Sequence, residues 1–405
     1  MDRGFPRVTV TKKCERFIKG GHIWVYHDEI LGTDGEYKNG DIVDVLTEKG
    51  RYLGSGFIND NSKIRVRIIS KNTNDRFDEA FWLRRISYAV DYRLTVMGGD
   101  FSSCRLIFGE ADGFPGLTVD KFEDVLVAQV LSLGIDLIKD VIFRGLIKVL
   151  ADRGHSVKAI YERNDVKVRE LEGLEQYKAF YRADGLRDDI GGEVEITENG
   201  IKYIVDFVDG QKTGFFLDQK YNRRAVAKIA AGKRVLDCFT HTGAFALNAA
   251  TTAEKVTAVD ISQTAIDMAR RNAALNGFDN VDFVTANVFE LLTEAEREHR
   301  RDWDMIILDP PAFTKSRSTA RSAERGYKEI NLKAMKLLPR GGYLATCSCS
   351  HFMPDEQFRR MLFSAAADAQ VSLRQIECRQ QSADHPILWG VEETDYLKFY
   401  IFQVV

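Results

Sequence analysis

Residues 233–262 read KRVLDCFTHTGAFALNAATTAEKVTAVDIS, and this stretch decides the fold. KRVLDCF is a buried-strand run, Gly243 closes a short turn, GAFALNAATTA is a helix, and KVTAVDIS is a second strand. Strand, helix and strand in so few residues is the repeating unit of a parallel sheet with crossover helices. The pattern continues downstream. QTAIDMARRNAALNG is a helix stopped by Asn276-Gly277, and VDFVTANVF, DWDMIILDPP and GGYLATCSCS supply three further strands. YLKFYIFQV, at the end, is expected as a seventh strand, antiparallel at the sheet edge. The prediction is a doubly wound α/β domain over residues 189–405.

In such a sheet the ligand lies beyond the carboxyl ends of the strands, where strand order reverses. Asp237 ends the first strand and runs into Phe239, Thr240 and Gly243, the glycine letting the backbone pass close to a bound molecule. Asp260, followed by Ile261, ends the second strand and is placed to accept from both hydroxyls of a ribose. Asn287, after the third, is placed to meet an adenine edge. Dinucleotide enzymes use G-x-G-x-x-G to seat a pyrophosphate on a helix N-terminus, and here a single glycine stands in the loop. The expected ligand therefore carries a ribose without phosphate, which S-adenosylmethionine satisfies.

Strand four ends in Asp309, Pro310, Pro311, Ala312 and Phe313. Two prolines stiffen that loop and remove two amide donors, which suits a planar base slotted against Phe313. Strand five ends in Thr346, Cys347, Ser348, Cys349 and Ser350, with both thiols on one side of the strand. Each cysteine is a candidate nucleophile. A pyrimidine C5 becomes reactive toward a methyl sulfonium only after a thiolate adds at C6, and a DPP loop beside a strand-five thiol supplies what that route demands. Cys347, Cys349 and His351 have neither the spacing nor the fourth ligand of a metal site.

The remaining chain is organised differently. Residues 1–72 read as short strands, with a hairpin turn at Glu48-Lys49-Gly50, Trp24 and Tyr26 on one strand face, and Lys63, Arg65 and Arg67 alternating with Ile64, Val66 and Ile68. That basic face is either solvated or a nucleic-acid contact. Residues 73–188 mix helices (around Phe77–Leu94 and in IDLIKDVIFRGLIKVLADRG) with strands, an α+β middle domain. A formal charge of −3 over 405 residues gives no global argument for a polyanionic partner. Residues 315–340, however, carry a net +6, including Lys315 next to the DPP loop, and suit a phosphate-contacting segment. Six scattered cysteines without a CxxC pair exclude a disulfide framework and a zinc site, and the absence of an 18-residue apolar run or a signal-peptide pattern points to a cytoplasmic protein without metal. The oligomeric state stays open, a homodimer included.

Taken together, these motifs resemble the bacterial class I ribosomal RNA methyltransferases of the RlmI type, which make 5-methylcytosine in large-subunit ribosomal RNA. The resemblance extends over nearly the whole chain. GHIWVY resembles the family's amino-terminal PUA domain, a small RNA-binding β-barrel, and FGEADGFPGLTVDKF its middle domain. GQKTGFFLDQKYNRR, VLDCFTHTGAFAL, VDIS, LDPPAF and CSCS resemble successive cofactor and catalytic motifs of a Rossmann-like methyltransferase domain. The resemblance implies that Phe216, Asp218, Gln219 and Arg223 help form the S-adenosylmethionine pocket, that Cys349 is the nucleophile, and that RNA is the partner; the leading reading adds Asp309, at the cofactor, as the residue that holds the base through its polar edge. Two positions depart from the pattern: Asn287 stands where the third cofactor motif usually has Asp, and LDPPAF lacks the second cysteine of other cytosine-5 RNA methyltransferases. Two other readings compete, an exocyclic-amine methyltransferase using DPPAF without a thiol, and a non-catalytic RNA-binding assembly factor.

Overall fold

The computed structural model describes residues 3–313 and 320–405. The chain forms two compact units. The first comprises Met1–Ile196, Val205–Leu217 and Ala383–Thr394; the second comprises Thr197–Ile204, Asp218–Ser382 and Asp395–Val405.

The first unit holds two sheets. Strands β1 (Arg7–Val10), β2 (Trp24–Tyr26), β3 (Ile30–Asp34), β4 (Ile42–Thr47), β5 (Tyr52–Ile58) and β6 (Ile64–Ser70) form a six-stranded sheet in the order β2-β6-β5-β4-β1-β3. Helix α1 (Lys12–Lys19) starts at Thr11, whose hydroxyl accepts from the Cys14 amide, and buries Cys14 and Ile18 on Val8, Val43, Val45 and Val66. The expected hairpin joins β4 to β5, with Gly50 in the left-handed region at φ 71°. Helix α2 (Glu79–Met97) and strands β7 (Ser103–Phe108), β8 (Leu117–Phe122) and β9 (Val125–Val130) follow, then helix α3 (Leu133–Asp152) and strands β10 (Ala159–Asn164) and β11 (Tyr177–Phe180). These strands make a five-stranded sheet in the order β11-β10-β9-β8-β7.

The hairpin of β12 (Glu193–Glu198) and β13 (Ile201–Asp206) leads to helix α4 (Lys220–Ile229) of the second unit. There β14 (Arg234–Cys238), α5 (Ala244–Ala250), β15 (Lys255–Asp260), α6 (Gln263–Leu275), β16 (Val281–Thr285), α7 (Val288–Arg297), β17 (Met305–Leu308), α8 (Ala320–Leu337), β18 (Tyr343–Ser348), α9 (Asp355–Asp368), β19 (Leu373–Arg379) and β20 (Lys398–Val404) complete the chain. The seven-stranded sheet has the order β16-β15-β14-β17-β18-β20-β19, with the first five strands parallel. Alternate residues face opposite layers. Ile306 and Leu308 pack with Leu292, Ile330 and Phe358 of α7, α8 and α9, while Met305 and Ile307 pack with Val226 and Phe245 of α4 and α5.

The last strand corrects one expectation. YLKFYIFQV is antiparallel, but it lies inside the sheet, between β18 and β19. The edge belongs to Leu373–Arg379, whose residues are all half-buried or exposed and which therefore lacks the apolar run of an inner strand.

Helix α4 is fastened from inside. Arg223 and Glu198 are both buried and form an ion pair at 2.6 Å, with the fully buried Tyr203 beside them. A buried guanidinium left without its carboxylate costs about 3 kcal/mol or more. Glu198→Ala is accordingly expected to lower unfolding stability by about that amount, read as a drop in the urea midpoint; a change below about 1 kcal/mol would show that the pair does not hold the helix.

Candidate functional site

Strand order reverses between β14 and β17. From β14 the chain moves outward through β15 and β16, then returns to the other side of β14 as β17 and continues to β18. The carboxyl ends of β14 and β17 therefore border the crevice in which a doubly wound sheet binds its ligand. Asp237 and Asp309 stand there.

The loop after β14 is tightly wound. Phe239, His241 and Gly243 all have positive φ, at 65°, 51° and 85°, and two of the three carry side chains that disfavour it. Such residues cost on the order of 1–3 kcal/mol each and concentrate at functional sites. Hydrogen bonds hold the conformation: the Thr240 amide donates to the Val259 carbonyl at 3.0 Å, and the His241 amide to Asp260 Oδ2 at 2.9 Å. Space at Gly243 is tight as well, since a Cβ there would stand 3.1 Å from Ala269 Cβ. Asp260 Oδ1 accepts from the Ser262 amide at 2.9 Å. Its carboxylate is thereby oriented at the strand end, half-exposed, beside an Ile261 side chain that is 71% exposed. An oriented acceptor pair next to an unburied apolar surface suits a ribose carrying a flat base.

Acidic groups crowd the other end of the crevice. Asp237 is buried, accepts from Thr240 Oγ1 at 2.6 Å, and has its pKa pushed up to about 7 by burial, with the Asp309 charge adding to the rise. Asp309, half-buried, is pushed up to about 6 by desolvation and by Asp218. Asp309 Oδ1 accepts from Cys347 Sγ at 2.9 Å and from Gln219 Nε2 at 3.2 Å. Gln219 in turn accepts from Asn222 at 2.7 Å, and Asn222 Oδ1 accepts from Arg379 Nε at 3.1 Å. The Tyr396 hydroxyl donates to Asp218 Oδ2 at 2.6 Å. These carboxylates repel one another and would repel a phosphate. A ligand with a positive centre relieves the repulsion, and a sulfonium is such a centre.

The two strand-five thiols differ in environment. Cys347 is 1% exposed, and its thiol donates to Asp309; burial pushes its pKa well above the usual thiol value. A protonated, enclosed thiol is a poor nucleophile. Cys349 is half-exposed, beyond the end of β18, and packs against the same apolar cluster as Cys347.

The other expected residues fall as follows. Gln219 and Asp218 reach the acidic group, whereas Arg223 is buried and ion-paired with Glu198. Phe216 belongs to the first unit, where the Lys212 ammonium lies 4.8 Å from its ring centroid. Asn287 caps α7: its Oδ1 accepts from the Phe289 amide at 2.9 Å and its Nδ2 donates to Glu290 at 3.3 Å. Phe313 leans on Tyr327 and Phe289, with centroids 4.6 and 5.8 Å away, while Pro310 is buried and Pro311 exposed. Lys315 lies outside the described residues. Of the basic segment after it, Lys328, Lys333 and Lys336 are paired with Asp368, Glu329 and Glu296. In the first unit Arg65 pairs with Asp60, and Arg67 with Glu172 and Glu110, so the alternating cations of β6 are largely neutralised rather than a free basic face. Tyr396, Asn222 and Arg379 were not singled out in the sequence; they join the site through contacts across 157 to 178 residues, which no local pattern displays. Among the described residues no group of His, Cys, Asp and Glu could hold a metal ion, and no helix is long and apolar enough to cross a membrane.

Comparison with known proteins assigns the family. Residues 8–71 match the PUA-like domain and residues 169–402, more than half of the chain, match the S-adenosylmethionine-dependent methyltransferase family. Ribosomal RNA large subunit methyltransferase I of Klebsiella pneumoniae (strain 342) is 38% identical over 413 residues, covering 100% of both chains. The chain belongs to the ribosomal RNA large subunit methyltransferase I family. Another member, from Aeromonas salmonicida (strain A449), is 39% identical over 96% of this chain and 97% of its own. Solved structures agree on the fold: SMU.776 in complex with SAH superposes with a TM-score of 0.83 at 22% identity, covering 98% of this chain and 100% of that one.

The residues present fit the cofactor of the methyltransferase I family. Asp260 would hold the ribose, Ile261 would cover the base, and the acidic group around Asp237 and Asp309 would face the sulfonium. Protons and the sulfonium then compete for the same carboxylates. Because both pKa values are raised, the cofactor-free unit loses stability as pH climbs from the ordinary carboxylate range toward about 7, and a bound cation restores it. S-adenosylmethionine affinity is expected to fall about ten-fold from pH 8 to pH 5.5, the effect of about one pKa unit, while that of the uncharged thioether S-adenosylhomocysteine stays within about two-fold. Calorimetric titration of both ligands at the two pH values checks this, and equal losses would overturn it.

Proposed function

We propose that this chain methylates C5 of a cytosine in large-subunit ribosomal RNA, with Cys349 as the nucleophile. In this reading residues 1–72 are an RNA-binding PUA barrel, 73–188 a middle domain and 189–405 the methyltransferase domain, acting in the cytoplasm. The observation that carries the choice of nucleophile is the contrast between the two thiols. Cys347 is enclosed and donates to Asp309, whereas Cys349 stands half-exposed past the strand end.

The Cys349 thiolate adds to C6 of the base, and the electron pair of the C5–C6 double bond becomes available at C5. S-adenosylmethionine, when bound, supplies an electrophilic methyl group. Methylation of C5 leaves the cofactor as the thioether; the C5 proton then passes to water, its electron pair restores the C5–C6 double bond, and the C6–sulfur bond breaks with its pair returning to Cys349. Asp309, fixed by Gln219 and Cys347, borders the space for the base, and the stiff Pro310-Pro311 loop with Phe313 forms its rim.

Cys349→Ala is expected to reduce methylation of a ribosomal RNA substrate by more than about a thousand-fold, as removal of an essential nucleophile does in other enzymes. Cys347→Ala is expected to retain activity within about ten-fold. The check is nucleoside mass spectrometry of the RNA after reaction. Undiminished methylation by Cys349→Ala, with the methyl on an exocyclic nitrogen, would establish the thiol-independent chemistry instead.

A further inference from the structure

Residues 383–394 leave the second unit after Ser382 and rejoin it at Asp395, and the preceding mechanism gives them no task. Within the first unit this excursion is firmly anchored. The Tyr92 hydroxyl of α2 donates to the Ala383 carbonyl at 3.0 Å, Arg93 Nη2 donates to the Asp384 carbonyl at 2.9 Å, and Asp384 Oδ2 accepts from the Arg105 amide at 2.8 Å. Further along, the Leu388 amide donates to Thr394 Oγ1 at 2.9 Å, Val391 is buried, and Gly390 meets Gly21 so closely that a Cβ on Gly21 would stand 2.9 Å from the Gly390 Cα. On this tied-down loop Trp389 is 93% exposed, whereas Trp82 and Trp303 are buried and Trp24 is half-buried. An indole held in water by an anchored loop forgoes the burial that ordinarily stabilises it, which marks it as a contact residue.

Trp389 does not stand alone. With Tyr88 and Tyr92, four residues apart on one face of α2, it lines a cleft of about 970 Å³ in the first unit, and Tyr88 is 66% exposed. The acids of the cleft wall are already paired: Asp75 with Arg84 at 3.2 Å, Glu110 with Arg67 at 3.6 Å and Asp112 with Arg93 at 2.6 Å. Two cations of the same wall differ. Lys71 Nζ donates to the Ile18 carbonyl at 2.7 Å, and Arg85 donates to the carbonyls of Gly113 and Ile69; neither has a carboxylate at ion-pair distance among the described residues. Exposed aromatic faces beside uncompensated positive charge are what a single-stranded nucleic acid requires, its bases stacking on the rings while its phosphates meet the cations. The excess charge favours a polyanion over an apolar protein surface, and a duplex keeps its bases stacked on one another. We infer that this cleft binds a single-stranded segment of the RNA, with bases stacked on Trp389 and Tyr88 and backbone phosphates at Lys71 and Arg85. The inference rests on RNA being the substrate and is independent of which atom of the base is methylated.

The test reads binding and needs no turnover. The intact protein is titrated with a fluorescein-labelled single-stranded RNA of about twelve nucleotides, within the ~4–16 that stacking grooves occupy, and with a hairpin RNA of the same length, affinity being followed by anisotropy. Trp389→Ala and Tyr88→Ala are each expected to weaken single-strand binding about five-fold or more, and to change hairpin binding by less than about two-fold. Trp389→Phe, which keeps an aromatic face, is expected to stay within about three-fold. Lys71→Gln is expected to reduce the slope of log affinity against log salt by about 0.7, the loss of one phosphate contact on a single strand. Indole emission supplies a second reading: unlabelled single strand is expected to quench it in the unaltered protein, and the quench is expected to fall by more than about half in Trp389→Phe. Unchanged S-adenosylmethionine affinity shows that a variant is folded; if Trp389→Ala fails that check, the quench decides alone, and a quench undiminished in Trp389→Phe overturns the inference. Single-strand binding that ignores Trp389→Ala, Tyr88→Ala and Lys71→Gln overturns it too and leaves the cleft to a protein partner, as does an equal loss for single strand and hairpin. Failure of the unaltered protein to bind either RNA would overturn the inference together with the choice of substrate, whereas methylation by Cys349→Ala would overturn the thiol mechanism and leave these affinities where they are.

Discussion

Negative charge held at the end of a desolvated sheet is the constraint on which the site depends. Asp218, Asp237 and Asp309 come from three separate segments, and nothing in the packing of an apolar core requires any of them. Asp237 occupies a position of β14 whose neighbours Leu236 and Cys238 are completely buried, so its carboxylate is enclosed by construction. Its charge is opposed both by burial and by Asp309. A fold that only needed to be stable would place an apolar residue there. The arrangement makes sense for a ligand whose positive centre completes the charge balance, and the strained Phe239–Gly243 loop aims backbone and Asp260 at the same place.

Much of this was legible in advance because the relevant signals are local. Buried strand runs, the Gly243 turn, the Asn276-Gly277 helix stop and the acids closing β14, β15 and β17 each depend on a few adjacent residues, and each defined its element in the structure. Where several segments must meet, the sequence carried less. The terminal strand was recognisable as a strand, yet its place inside the sheet depends on β19, whose polar alternation gives an edge strand little signature. Asn287 illustrates a different difficulty. The residue before VFELL has the chemistry of a helix cap as well as that of an adenine contact, and its Oδ1 is engaged with the Phe289 amide.

Charge patterns were the least transparent. Basic residues at strand or helix spacing read as exposed faces, but Arg67 is held by Glu172, 105 residues away in the chain, and Lys336 by Glu296. Neither partner can be inferred from spacing on one element. The same holds for Arg223, which a motif places at the cofactor and which the structure commits to Glu198. A motif identifies that a residue matters at a site; whether it touches the ligand or holds the wall depends on partners supplied by the fold.

The antiparallel insertion of β20 has a consequence for chemistry. In a wholly parallel sheet only the ends of strands and the loops that follow them reach the crevice. β20 runs the other way, so its beginning, not its end, lies beside the carboxyl end of β18. Tyr396 and Lys398 thereby arrive next to Asp218 and the Ser348–Ser350 segment from a part of the chain that would otherwise be remote. The reversed strand lets one element deliver both an acid's hydrogen-bond donor and a cation to the thiol-bearing loop. It also ties the geometry of that loop to the last residues of the chain, because displacing β20 would release the Ser350 carbonyl and the Asp218 carboxylate together.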